Sequence, residues 1–235
     1  MIPIGDDNTG HHLRPFVNYI LIIINVLVFV FLQGSGGNEQ FTLAYSTVPA
    51  EITRGVDIAV PPLEPTPIPV YGTLITSMFM HGGWAHLLGN MLYLWIFGDN
   101  LENRMGHSRY LGFYLLTGII ASLSHVFVTA ATSPEHMMIP SLGASGAISG
   151  VLGGYLLLFP KQRVRVFLGR GIVEVPAFVA LGLWIVLQVI SSMGVLGGEG
   201  QGGGGVAYAA HIGGFIAGLV LVKLFAPGQP KARMI

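Results

Sequence analysis

A serine hydroxyl becomes a useful nucleophile only when a base removes its proton, and a neutral imidazole is the usual base near neutral pH. Ser145 lies in the run Gly143-Ala144-Ser145-Gly146-Ala147-Ile148-Ser149-Gly150, which opens an apolar stretch that continues to Phe159. Its neighbours have almost no side chain, so other helices and a substrate backbone can come close to the hydroxyl. Small residues at this spacing also form plain packing surfaces between membrane helices. The motif alone therefore leaves two readings open. The candidate base is His211, in Ala210-His211-Ile212-Gly213-Gly214. Acyl transfer further needs donors for a developing oxyanion. His86 and Asn90 stand at i and i+4, on one helical face, and can supply them together with backbone N–H groups at the helix start near Ser145.

Other catalytic classes fail on residue types. There are no cysteines, which excludes thiolate catalysis, disulfides and Cys-ligated metals. A membrane zinc protease needs a pattern such as His-Glu-x-x-His. His81 and His86 are five apart with no acid between them, so no metal is expected, and no organic cofactor either. An aspartyl protease needs two intramembrane aspartates, and Asp99 is the only one near a span's end. No carboxylate falls among the polar residues that accompany Ser145. A Ser-His dyad is available and a Ser-His-Asp triad is not.

The elements that must position these residues are set by hydropathy. Of 235 residues, 52% are hydrophobic and 9% charged, against about 25% charged in soluble domains. The expectation is an all-α membrane protein, a six-transmembrane-helix bundle with a long outer loop between helices 1 and 2. The spans read as Phe16–Leu32, Thr73–Leu101, Tyr110–Thr129, Ser145–Phe159, Val173–Met193 and Val206–Phe225. The first has no small-residue cleavage site and is interrupted by Asn18 and Asn25, so it reads as a retained helix. Residues 1–15 read as a short polar cytoplasmic tail, 16–225 as the membrane domain and 226–235 as a second tail. Within the 33–72 loop, Phe41–Ile52 is apolar enough to lie in the membrane interface. Residues 197–205 are nearly all glycine, a flexible linker. Net charge is zero, which removes any electrostatic case for nucleic acid. The lipid bilayer is the expected surrounding.

Charge gives the orientation. Arg14, Arg104, Arg109, Lys161, Arg163, Arg165, Arg170, Lys223, Lys231 and Arg233 fall on one side and only Arg54 on the other. This positive-inside pattern places both termini in the cytoplasm. Spans 2, 4 and 6 then all enter from outside. The fifteen residues of span 4 reach roughly 22 Å at the helical rise, short of a hydrocarbon core of about 30 Å. Ser145 is thus expected ~8 Å below the outer boundary. His211, five residues past Val206, lies ~7–8 Å down by the same rise. Gly146, Gly150 and Gly154 on span 4 match Ala210, Gly214 and Gly218 on span 6, two ridges that would let these helices approach closely.

Taken together, Gly143-Ala144-Ser145-Gly146, Ala210-His211-Ile212-Gly213-Gly214 and His86-Leu87-Leu88-Gly89-Asn90 resemble the rhomboid intramembrane serine proteases. Glu102-Asn103-Arg104-Met105-Gly106 looks like that family's Glu-x-Arg element, and Val48-Pro49-Ala50-Glu51-Ile52 like the first outer loop of bacterial members. The resemblance covers about residues 16–225. It implies a serine endopeptidase of the cell (inner or plasma) membrane, with Ser145 as nucleophile, His211 as base, and His86, Asn90 and the Ser145 backbone as the oxyanion hole, in a site opening outward. The implied substrates are single-pass or multi-pass transmembrane proteins, unwound near their outer end and cut after a small residue. Span 5 and the 197–205 segment would be gate and cap, and His81 matches a second histidine near the start of its span. A non-catalytic relative that binds membrane helices as adaptor or chaperone is the alternative, and would be expected to lack the Ser or the His. One position departs: many members carry an aromatic residue four after the nucleophile, packed on the histidine ring, where this chain has Ser149.

Overall fold

The structure is a computed structural model and describes residues 2–169, 171–192 and 208–226. Among these, α1 is Phe16–Leu27, continued by a π-helical turn at Val28–Leu32. It is followed by α2 (Glu39–Ala44), α3 (Pro49–Arg54), α4 (Thr73–Thr76), α5 (Trp84–Met105), α6 (His107–Thr132), α7 (Ser145–Leu158), α8 (Ala177–Ser192) and α9 (Tyr208–Phe225). Strands β1 (Ile2–Asp6), β2 (Arg163–Phe167) and β3 (Ile172–Pro176) form an antiparallel sheet in the order β1-β2-β3. By length and composition α6 and α9 could cross a membrane, while α1 with its extension, α7 and α8 are shorter apolar helices.

Along α1 polarity is inverted relative to a helix of a soluble bundle. The residues α1 buries are Asn18, Leu21 and Asn25. The residues it exposes include Phe16, Ile20, Ile23 and Leu27. Such a helix has no reason to fold inward in water, where apolar surface is driven to the core. Inside, the Asn25 amide donates to the Leu21 carbonyl at 2.8 Å, and Asn18 is matched on both sides. The Asn18 amide donates to the Leu94 carbonyl at 3.0 Å and accepts from the Tyr110 hydroxyl at 2.7 Å. Pro15 offers no side-chain cap to α1. Glu102 on α5 does so instead, accepting the N–H groups of Val17 and Asn18 at 2.9 and 2.7 Å and pairing with His107. A carboxylate there satisfies orphan donors and complements the helix dipole. This is what the glutamate of Glu102-Asn103-Arg104 does. Gly106, with φ +80°, makes the one-residue turn from α5 to α6.

α7 is wedged between α6 and α9. A Cβ on Gly214 would lie 2.1 Å from the Gly146 carbonyl oxygen, and one on Gly218 would lie 2.0 Å from that of Gly150. The two pairings advance together along both helices, so α7 and α9 run parallel. The expected ridge match is thus half right. The glycines of α9 do face α7, but a Cβ on Gly146 or Gly150 would instead meet Ala121 or Thr117 of α6 at 2.7 and 2.4 Å. Gly146 and Gly150 admit α6, while Gly153 admits the Phe215 carbonyl of α9.

Four sequence expectations need correction. The chain is mostly helical, not all-α. Residues 163–167 alternate Arg-Val-Arg-Val-Phe with Val164 and Val166 buried, a strand pattern of period two. Residues 1–15 are not simply a polar tail, because Ile2–Asp6 pairs with β2. The span placed at Thr73–Leu101 is broken: α4 and a 3₁₀ turn at Ser77–Phe79 end at an extended Met80, and α5 starts at Trp84. The span placed from Val173 starts at Ala177, since Ile172–Pro176 is β3. The ends assigned at Met193 and Val206, the 197–205 linker and residues 227–235 lie outside the described residues.

The sheet closes the end of the bundle opposite Ser145. Asp6 is buried, and its Oδ2 accepts from the Tyr155 hydroxyl at 2.6 Å and the Asn100 amide at 2.7 Å. Asn8 donates to Asp99 at 3.0 Å, and the backbone N–H groups of His12 and Leu13 donate to Asn103. Burial pushes the Asp6 carboxyl up to about 6. The nearby Asp99 adds to this and the two hydrogen bonds oppose it.

Two outcomes follow from this packing. Gly218→Ala must push α9 off the Gly150 carbonyl, so it should lower thermal stability by about 1–3 kcal/mol, whereas Gly182→Ala, inside α8 with open space around it, should raise it by up to about 1 kcal/mol of helix propensity. A carboxyl whose folded pKa is raised contributes most when protonated, and that contribution is lost as pH rises through about 6. The melting temperature of Asp6→Asn should therefore match wild type near pH 4 and exceed it at pH 8, by roughly 2 kcal/mol of stability. A gap that is constant with pH would contradict this account of Asp6.

Candidate active site

Ser145 is the first residue of α7 and His211 lies in the first turn of α9. Their side chains meet: His211 Nε2 is 2.8 Å from Ser145 Oγ. The other ring nitrogen, Nδ1, is 2.7 Å from Oε1 of Gln188 on α8. An amide oxygen only accepts, so Nδ1 carries the proton and Nε2 is left to accept from the serine hydroxyl. The Trp184 ring lies 6.0 Å from the imidazole, tilted by 37°.

Gly143 shapes the approach to the serine. Its φ of +124° suits glycine alone, and its N–H donates to the Ser77 carbonyl at 2.9 Å. A Cβ on it would lie 2.8 Å from His86 Nε2 and Cε1 and 3.7 Å from Ser145 Oγ. His86 therefore sits directly across this glycine from the nucleophile. The Gly82 N–H donates to His86 Nδ1 at 3.3 Å, which leaves Nε2–H as the donor on the side of Ser145. Asn90, one turn further along α5, is buried, and its amide nitrogen has no partner among the described residues. Among the described residues neither His86 nor Asn90 is hydrogen-bonded to Ser145. A small recess of about 20 Å³ beside the serine is lined by Ser77, Met78, Ser141, Gly143, Ser145 and Ala210.

The long 33–72 loop supports this approach. Thr47 and Ser141 exchange backbone hydrogen bonds at 3.0 and 2.8 Å. The Thr47 hydroxyl reaches the Thr73 carbonyl and Ser77, both at 2.9 Å, and the Ala50 N–H donates to Met137 at 2.9 Å. The loop thus holds the chain that leads into Ser145. His81 is buried behind His86, with ring centroids 5.1 Å apart. Its backbone is clamped by Gln33, which accepts the His81 N–H and donates to its carbonyl, both at 2.9 Å.

Residue type and spacing singled out Ser145, His211, His86 and Asn90. They missed Gln188. A lone glutamine within an apolar helix was a signal that could have been followed, since a polar side chain at such a position usually has a partner. Ser149 donates to the Ser145 carbonyl at 2.6 Å and so does not serve the histidine ring.

An apolar-faced helical bundle that encloses a hydrogen-bonded serine and histidine defines a class, the membrane proteins with a hydrolase-like pair. Residues 70–228 match the model of the Rhomboid domain. The chain is 34% identical over 161 residues to Rhomboid protein 1, mitochondrial, of Saccharomyces cerevisiae, covering 68% of this chain and 44% of that protein. It is 30% identical over 222 residues to Rhomboid protease GluP of Bacillus subtilis, covering 93% of this chain and 36% of that one. RHOMBOID-like protein 4 of Arabidopsis thaliana is 34% identical over 149 residues, 63% of this chain and 32% of that protein. The chain belongs to the rhomboid family and is a membrane protein. It spans 32–44% of the length of these relatives.

Proposed function

We propose that this chain is an intramembrane serine endopeptidase that cuts transmembrane-helix substrates through the pair Ser145–His211. The observation that carries the reading is the 2.8 Å contact between His211 Nε2 and Ser145 Oγ, in a tautomer that leaves Nε2 free to take the proton. In this mechanism Ser145 Oγ attacks the scissile carbonyl while Nε2 accepts its proton. The same nitrogen then protonates the leaving amine, and a water activated in the same way frees the acyl-enzyme. His86 Nε2–H, the free Asn90 amide and the N–H groups at the start of α7 stabilise the oxyanion. The recess beside Ser145 is small, with Met78 and Leu142 among its walls, which suits a small residue before the cleaved bond.

The membrane domain is residues 16–225, with six spans: α1 and its extension, α5, α6, α7, α8 and α9. Both termini are cytoplasmic and the site opens to the outer side of the cell membrane. Parallel packing of α7 and α9 supports this topology, because spans 4 and 6 must run the same way.

In proteoliposomes with a model transmembrane substrate, wild type should cleave while Ser145→Ala and His211→Ala fall to background. His86→Ala and Asn90→Ala should each lose about 10²–10³ in kcat, the usual worth of an oxyanion donor. Equal cleavage by wild type and Ser145→Ala would remove the protease reading in favour of a helix-binding adaptor. The chain has no cysteine, so single cysteines report topology cleanly. An impermeant thiol reagent should label Val56→Cys in intact cells and Ser108→Cys only after permeabilisation.

A further inference from the structure

His211 needs a partner on Nδ1 if Nε2 is to face the serine as an acceptor. α7 does not supply one: the side chain one turn beyond Ser145 is Ser149, whose hydroxyl is committed to the Ser145 carbonyl. The partner comes from α8. Trp184 and Gln188 are four residues apart on this helix and so share a face. Both reach the ring, Gln188 by a 2.7 Å hydrogen bond to Nδ1 and Trp184 by a tilted contact at 6.0 Å. Aromatic rings at this separation attract and restrict each other's orientation. The same helix buries Ala177, Ala180 and Leu181 in the core, while Phe178, Val179, Leu183, Val186, Leu187 and Val189 are exposed.

We propose that Gln188 is a positioning residue for the base: its amide oxygen fixes the Nδ1–H tautomer of His211, and Trp184 restrains the plane of the ring. This rests on the reading of Ser145 and His211 as the catalytic pair. The amide stands where a triad would place a carboxylate. It has no charge with which to stabilise an imidazolium, so its part is tautomer and orientation. Without it the neutral ring can carry its proton on Nε2, a form that cannot accept from Ser145.

The test compares wild type with Gln188→Leu and Gln188→Glu in the full chain, in bilayers. Gln188→Leu keeps the side chain's bulk and removes the acceptor. It should lower kcat about 10–100-fold, as loss of a histidine's orienting partner does elsewhere, while KM and melting temperature stay at their wild-type values. Gln188→Glu keeps an acceptor oxygen and should recover most of the lost rate. Nitrogen-15 NMR of labelled histidine should give the Nδ1–H tautomer for His211 in wild type and a mixture in Gln188→Leu. The proposal is overturned if Gln188→Leu keeps full kcat, if its tautomer is unchanged, or if the leucine and glutamate variants lose rate equally. The tautomer readout does not depend on turnover. Failure of the protease reading, seen as cleavage by Ser145→Ala, is therefore distinguishable from failure of this one.

Discussion

The contact on which the structure depends is that of bare backbone on bare backbone between α7 and α9. The Gly146 and Gly150 carbonyls occupy space that any side chain at Gly214 or Gly218 would take. In a lipid environment burial of apolar area does little to hold helices together, and van der Waals contact at close range takes its place. The same contact fixes the register. With the helices parallel and this close, Ser145 and His211 near their starts are brought to 2.8 Å. A slide of one helical turn, about 5.4 Å, would separate them. Stability and site geometry are thus one constraint.

Around this pair the fold is held by polar groups pointing inward. Asn18, Glu102 and Tyr110 tie α1, α5 and α6 together at one end. Asp6, Asn100 and Tyr155 tie β1 to α5 and α7. Each would be costly if unpaired in apolar surroundings, so together they specify the arrangement as well as stabilise it. At the other end Thr47, Ser77 and Ser141 join the first loop to the segment that enters α7. The serine is positioned by a loop some hundred residues earlier in the chain as much as by its own helix.

The candidate site has few groups, drawn from four helices. α7 carries the Ser145 hydroxyl, α9 the His211 imidazole, α8 the Gln188 amide at Nδ1, and α5 both His86 and Asn90. No carboxylate hydrogen-bonds to His211 among the described residues. In a site that excludes bulk water, fixed dipoles and N–H groups act more strongly than they would in solution, which suits a pair lacking an anionic third member.

Residue type and spacing alone were enough to single out Ser145, His211, His86 and Asn90, because polar side chains in long apolar runs stand out locally. Hydropathy likewise placed α1, α6 and α7 to within a few residues, and the glycine spacing announced a close helix pair. What the tertiary structure decided is everything that depends on pairing across the chain. The alternation at 163–167 was visible, but its pairing with β1, more than 150 residues away, exists only in the folded chain, beside the local hairpin it makes with β3. The apolar run at 73–101 has no periodic signal for its break at Met80–Gly83. Gln188 is an ordinary residue in an apolar helix until α8 is laid against α9 and its amide meets Nδ1. Hydropathy is a local property and survives in the sequence, whereas a hydrogen bond between distant residues exists only once the backbones have been brought together.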